Sequence, residues 1–195
     1  KEATAYHLLT DYVRQKNPEN RIFVVHRLDR DTSGVLMVAK NEKIKLALQD
    51  NWTELVSDRG YMAIVEGQLE EKSGRIHSWL KETKTLLMYS SHHAGDGLEA
   101  ITDYQVLNET TEYSLLEIHL QTGRKNQIRV HMKDIGHNVV GDKKYGAKRD
   151  PLKRLGLHAY KLEFKHPFSK EVMCFQTQIP KSFTSLFDGS KLRNM

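Results

Sequence analysis

Cysteine is almost missing from this chain of 195 residues, which has one, Cys174. A single thiol excludes an internal disulfide framework and any zinc site built on several cysteines, and it points to a reducing, cytoplasmic setting. Cys174 itself is expected as a half-buried strand residue. Long apolar runs are missing too. The longest, Val35 to Ala39, is bounded by Gly34 and Lys40, far short of the roughly 20 residues a membrane-spanning helix needs. No signal-like apolar segment opens the chain, so a soluble protein without a membrane partner is expected. There is no phosphate-loop motif and no dinucleotide fingerprint. The absence of a Gly-x-Ser-x-Gly elbow leaves Ser33, near His26, a weak hydrolase candidate. The 10 histidines lack metal-ligand spacing, since His92-His93 lie in a turn-rich piece and His119, His131, His137 and His158 lack cysteine or carboxylate partners at ligand spacing. Neither a metal nor a cofactor is expected.

What is present is charge. Lys and Arg number 30 against 25 Asp and Glu, a formal net charge of +5 with a pI near 9.2, a balance that favours a polyanionic partner. Apolar residues make up 38%, enough in a chain of this length to bury a core, so residues 1–195 are expected to form one domain. A basic run, Lys143, Lys144, Lys148, Arg149, Lys153 and Arg154, reads either as a track for nucleic-acid phosphates or as a solvated loop.

Periodicity sets the fold class. Ala5, Leu8, Leu9, Tyr12 and Val13 fall at helical spacing over 3–16, and Pro18 closes that helix, whose expected role is packing. Strands are predicted over Arg21 to His26 and Val35 to Lys40, followed by a helix capped by Asn41 and running to about Asn51. Further strands are predicted over Tyr61 to Leu69 and at about 74–80, 98–107, 113–121, 157–164 and 171–179, with a helix over 124–135. Strands outnumber helices and do not alternate with them, so the class is α+β, with a mixed, largely antiparallel sheet and flanking helices.

The densest polar stretch, His26-Arg27-Leu28-Asp29-Arg30-Asp31-Thr32-Ser33-Gly34, lies between two apolar segments. The residues alone allow Asp29 as nucleophile or general base beside an arginine, but favour a capped turn with solvated charges. A second block is Arg59-Gly60-Tyr61-Met62-Ala63-Ile64-Val65-Glu66-Gly67, where Tyr61 alone reads as a strand aromatic. A third is Thr122-Gly123-Arg124-Lys125-Asn126-Gln127-Ile128-Arg129-Val130-His131.

Together these blocks resemble RNA pseudouridine synthases of the RluA type, and the likeness runs from about Phe23 to Pro180. It includes Gly141-Asp142-x-x-Tyr145-Gly146, Leu157-His158-Ala159 and Phe164-x-His166-Pro167. The resemblance implies a pseudouridine synthase fold with Asp29 as the catalytic carboxylate, Tyr61 stacking on the target base and Arg129 paired with Asp29. It further implies substrate contacts from His26, Arg27, Leu28, Thr32, Ser33, Gly34, Arg124, Gln127 and Ile128. Asn126 departs from the pattern, which has His there, and puts an RNA contact at that position in doubt. The family's earlier strand with a Lys-Pro-x-Gly element is not seen, so an N-terminally truncated catalytic domain is the expectation.

The activity implied is isomerisation of uridine to pseudouridine in ribosomal or transfer RNA by a monomer that uses no cofactor. Two rivals are a non-catalytic RNA-binding module and a glycosylase that releases free base.

Overall fold

The computed structural model describes residues 4–187. They form helices α1 (Ala5–Arg14), α2 (Glu42–Asp50), α3 (Trp52–Leu55), α4 (Gln127–Asp134) and α5 (Lys181–Thr184), with a 3-10 turn at Lys143–Tyr145. The strands are β1 (Phe23–Val24), β2 (Ser33–Gly34), β3 (Val38–Ala39), β4 (Val56–Glu66), β5 (Ser73–Glu82), β6 (Met88–Ser91), β7 (Leu98–Glu109), β8 (Tyr113–Leu120), β9 (Leu157–Lys165) and β10 (Val172–Gln176). This is the α+β class expected from the pattern. Two compact units divide the chain. The smaller takes residues up to Leu28, Leu36–Ser57 and Glu163–Cys174; the larger takes Asp29–Val35, Asp58–Leu162 and the chain from Phe175.

In the smaller unit β1 pairs antiparallel with β3. Asn41 caps α2 by accepting from the Ile44 amide at 2.8 Å, as its position before a periodic apolar run predicts. Gln49 on that helix donates to the Val25 carbonyl at 2.9 Å. The periodicity of α1 overstates its burial. Thr10 and Val13 are buried, but Leu8 and Tyr12 are 59% and 63% exposed, because spacing defines a face without saying what covers it.

An eight-stranded sheet, in the order β10-β9-β4-β8-β7-β5-β6 with β2 joined to β9, carries most of the larger unit. Both faces of its centre are covered, which explains the unbroken buried run Met62 to Val65 on β4. Ala63 and Val65 pack with Leu116, Ile118, Ile128 and Met132 under α4; Met62 and Ile64 pack with Leu115, Phe183 and Phe187 on the opposite side. Tyr61 sits at the margin of the first cluster, opposite Ile118 on β8. One expectation needs correcting: Cys174 is exposed on a strand at the end of the sheet order rather than half-buried. β2 and β6 are too short to show as alternation in the sequence.

His131 anchors α4 to the sheet. It is fully buried, with Nε2 2.9 Å from Ser78 Oγ and Nδ1 2.9 Å from Thr102 Oγ1. Burial, helped by the charge of His77, lowers its pKa to about 4. A folded-state value below the unfolded one means stability is fully present above the ordinary histidine value and is lost as pH falls through about 4. The linked loss is about 3 kcal/mol. Urea unfolding across that window is expected to show it, and His131→Gln to remove that component of the slope; an unchanged slope would refute the assignment to His131.

Candidate active site

The larger unit brings Asp29, Tyr61 and Arg129 together. Asp29 opens a tight turn in which the Thr32 amide donates to the Asp29 carbonyl at 3.0 Å, the local structure that the Asp-x-x-Thr-Ser-Gly chemistry favours. The turn runs directly into β2, which lies parallel to β9 with Ser33 beside His158 and Gly34 beside Ala159. Gly34 has φ +119°, and a Cβ there would sit 2.0 Å from the Ala159 carbonyl oxygen, so only glycine lets the strand approach this closely. The Val35 amide adds a 2.8 Å bond to the same carbonyl. Within this anchored turn the Thr32 hydroxyl is buried with no hydrogen-bond partner among the described residues.

Arg129 comes from the first turns of α4. Its Nε and Nη2 form a fork onto Asp142, both bonds 2.7 Å. Its Nη1 donates to Asn126 Oδ1 at 3.2 Å and lies 3.8 Å from Asp29 Oδ2. The Tyr145 ring closes a further side, 5.1 Å from the guanidinium carbon. Burial disfavours the charge of Arg129, but the bonds and charge of Asp142, together with the charge of Asp29, outweigh it and hold its pKa above the ordinary value. The expected pairing of Arg129 with Asp29 is therefore the looser of two ion pairs, and the tight one goes to Asp142, whose side chain is 1% exposed. Sequence reasoning missed that role although it met Asp142 in the Gly141-Asp142-x-x-Tyr145-Gly146 block.

Asn126 is buried at φ 56°, ψ 20° before α4, a left-handed conformation that asparagine tolerates better than most residues. Its Nδ2 donates to the Tyr145 hydroxyl at 3.1 Å. The departure from the family's pattern thus faces the protein interior and braces Arg129.

Tyr61 lies near enough to both Arg59 and Asp29 to feel their charges. Burial pushes its phenol above the ordinary value; Arg59 opposes this and Asp29 adds to it. Tyr61 is therefore protonated at neutral pH in the free protein. Arg59 is fixed behind it, donating through Nη2 to the Leu120 and Gln121 carbonyls at 3.1 Å each.

The other candidates are distributed unevenly. Ser33 and Gly34 hold the turn to β9. Gln127 is buried and fully engaged: its Oε1 accepts from Thr122 Oγ1 and the Arg124 amide, and its Nε2 donates to the Ile101 carbonyl and Thr102 Oγ1. Ile128 is a core residue. Both are buried in the larger unit, where the resemblance set them against substrate. Arg124 is exposed and donates through Nε to the Glu99 carbonyl at 2.8 Å. In the smaller unit His26 accepts from the Met37 amide at 3.0 Å and its ring lies 5.2 Å from that of Trp52; Arg27 is exposed and Leu28 half-buried. Among the described residues no group of His, Cys, Asp or Glu is gathered as a metal site, and no helix is long and apolar enough to cross a membrane.

Comparison with known proteins gives the chain a family. Residues 1–134 match the family described as RNA pseudouridylate synthase. An uncharacterized RNA pseudouridine synthase of Mycoplasma pneumoniae is 37% identical over 176 residues, 88% of this chain and 57% of that protein. The ribosomal large subunit pseudouridine synthase D of Borreliella burgdorferi is 37% identical over 183 residues, 91% of this chain and 55% of that protein. The chain thus spans a little over half the length of these bacterial relatives. A solved structure, human RNA pseudouridylate synthase domain containing 1, matches with a TM-score of 0.74 and 27% identity over 96% of this chain and 81% of that one. With sequence matching across most of its length, and the fold matching as well, the chain belongs to the RNA pseudouridylate synthase family.

Proposed function

We propose that the protein isomerises uridine to pseudouridine in RNA, with ribosomal RNA as the favoured substrate class and Asp29 as the catalytic carboxylate. The observation that carries this reading is the convergence on one anchored turn of a carboxylate, a fixed guanidinium 3.8 Å from it, and an aromatic phenol that senses the carboxylate's charge. Ribosomal RNA is favoured because the Borreliella burgdorferi relative is named for the large ribosomal subunit.

The reaction breaks the N-glycosidic bond, turns the uracil and joins its C5 to ribose C1′. A stacked base hides these atoms, so the uridine is extruded at a cost of a few kcal/mol. Stacking on Tyr61, worth about 1–3 kcal/mol, offsets part of it. Asp29 either attacks C1′ or removes the C2′ proton to give a glycal; both routes leave negative charge on uracil, which a permanently charged Arg129 stabilises. C5 bonds to C1′ as the Asp29–C1′ bond breaks, or as Asp29 returns the C2′ proton to the glycal; the C5 proton then passes to the Tyr61 phenolate and N1 takes up a proton, so the product is an isomer of the substrate.

The test uses RNA tritiated at uridine C5, taken from cells that lack the enzyme. Release of tritium without free uracil is the expected result. Free uracil would identify a glycosylase, and tight binding without release a non-catalytic module. Because the Tyr61 phenol is held above its ordinary pKa, the reactive phenolate grows with pH, so kcat limited by C5 deprotonation rises from pH 7 to 9. Tyr61→Phe is expected to bind RNA, lose about 10²-fold or more in kcat and flatten that rise. A steep profile retained in the variant would remove Tyr61 from the proton step.

A further inference from the structure

Arg154 belongs to the basic run that sequence alone assigned to phosphates or to solvent, yet its guanidinium is turned into the protein. Nη2 donates to Ser33 Oγ at 2.8 Å, to the Leu157 carbonyl at 3.2 Å and to the Asp31 carbonyl at 3.3 Å. Nε donates to the Leu155 carbonyl at 3.1 Å. Two of these acceptors, Asp31 and Ser33, lie in the turn that begins at Asp29. The backbone of Arg154 reaches the other half of the site, since a Cβ on Gly141 would stand 2.2 Å from the Arg154 carbonyl oxygen. Gly141 immediately precedes Asp142, which holds Arg129. One residue therefore touches the turn that carries Asp29 with its side chain and the turn that carries Asp142 with its main chain.

We propose that Arg154 is a positioning residue for the catalytic carboxylate: it clamps the Asp29 turn against the segment bearing Asp142 and so sets the gap between Asp29 and Arg129. The inference rests on the proposed function for its catalytic meaning and on geometry for the clamp itself. A guanidinium only donates, so Ser33 Oγ accepts from Arg154, and the same hydroxyl hydrogen-bonds His158 Nδ1 at 2.7 Å. Burial, together with the charge of Arg154, keeps the His158 pKa below its ordinary value. The Phe183 ring, 5.8 Å from the guanidinium carbon, packs beside the clamp.

Arg154→Lys separates this role from phosphate binding. Lysine keeps the charge that a phosphate needs, but a single ammonium cannot hold the Leu155 carbonyl with one nitrogen while a second reaches Ser33, Asp31 and the Leu157 carbonyl. A displacement of about 1 Å at the reacting groups costs on the order of 10²-fold. In the tritium-release assay with the whole protein, Arg154→Lys is therefore expected to lower kcat about 100-fold, with KM for RNA and the salt dependence of binding as in wild type. Ser33→Ala, which removes only the shared acceptor, is expected to lower kcat in the same direction, and it stands in should Arg154→Lys fold poorly. Amide hydrogen exchange over residues 30–33 is expected to quicken in both variants. A raised KM with a shallower salt slope and intact kcat would make Arg154 a phosphate contact and overturn the proposal, as would unchanged kcat with unchanged exchange. If wild type itself makes no pseudouridine, the activity reading fails, while the exchange measurement still decides whether the clamp exists.

Discussion

Asp29→Asn is expected to abolish pseudouridine formation, lowering tritium release by about 10⁴-fold or more, while RNA binding and folding persist. The carboxamide keeps the shape of the side chain but can neither attack C1′ as an anion nor take a proton from C2′. The Asp29 side chain is 22% exposed and its ion pair with Arg129 spans 3.8 Å, and Arg129 keeps its fork onto Asp142 when Asp29 loses its charge. The turn is held by other means, namely the Thr32 amide bond, the register of β2 on β9 and the Ser33 bond to His158, none of which uses the carboxylate. Thermal unfolding within a few degrees of wild type, with RNA affinity retained and turnover gone, is the combination to look for. Turnover surviving in Asp29→Asn would sink the mechanism whatever the product of the wild-type protein.

The turn at Asp29 was legible in the sequence because the signal is local, whereas a chemical role for its carboxylate came only from the resemblance. Asp29, Thr32, Ser33 and Gly34 are neighbours in the chain, and their spacing encodes both a turn and a close approach of backbone to backbone. Arg129 and Tyr61 were legible only through the family's blocks, since a strand tyrosine and a helix arginine have ordinary structural uses. The partners were not legible. Asp142 holds Arg129 across a loop, and Arg154 reaches Ser33 from 121 residues away in sequence, so no periodicity links them. The same gap explains Gln127 and Ile128: a motif says that residues matter, but burial decides whether they face substrate or core. Most strand positions followed from alternation and most helix positions from spacing, whereas coverage did not, as the exposed Leu8, Tyr12 and Cys174 show.

Asp142→Asn is expected to damage stability and catalysis together, because it takes the charge from the tighter of the two carboxylates that share Arg129. The fork of two 2.7 Å bonds is almost wholly buried on the Asp142 side. Removing one charge of such a pair leaves the other poorly compensated, at a cost of about 3 kcal/mol. The guanidinium then turns to the remaining carboxylate, Asp29, through the Nη1 now 3.8 Å away. A closer pair ties up the oxygens that the reaction needs, so kcat falls by roughly 10²-fold as the groups leave their reactive geometry. A double-mutant cycle reads the coupling of the two aspartates directly. In the wild-type background Arg129 keeps its fork onto Asp142 when Asp29→Asn is made, but in the Asp142→Asn background the same change removes the carboxylate onto which Arg129 has fallen back. The double variant is therefore expected to be less stable than the sum of the single effects, by an interaction energy of roughly 1–2 kcal/mol in urea unfolding. Additive losses would show that the two aspartates do not compete for one guanidinium, and the arrangement of Arg129 as a shared counter-charge would have to be given up.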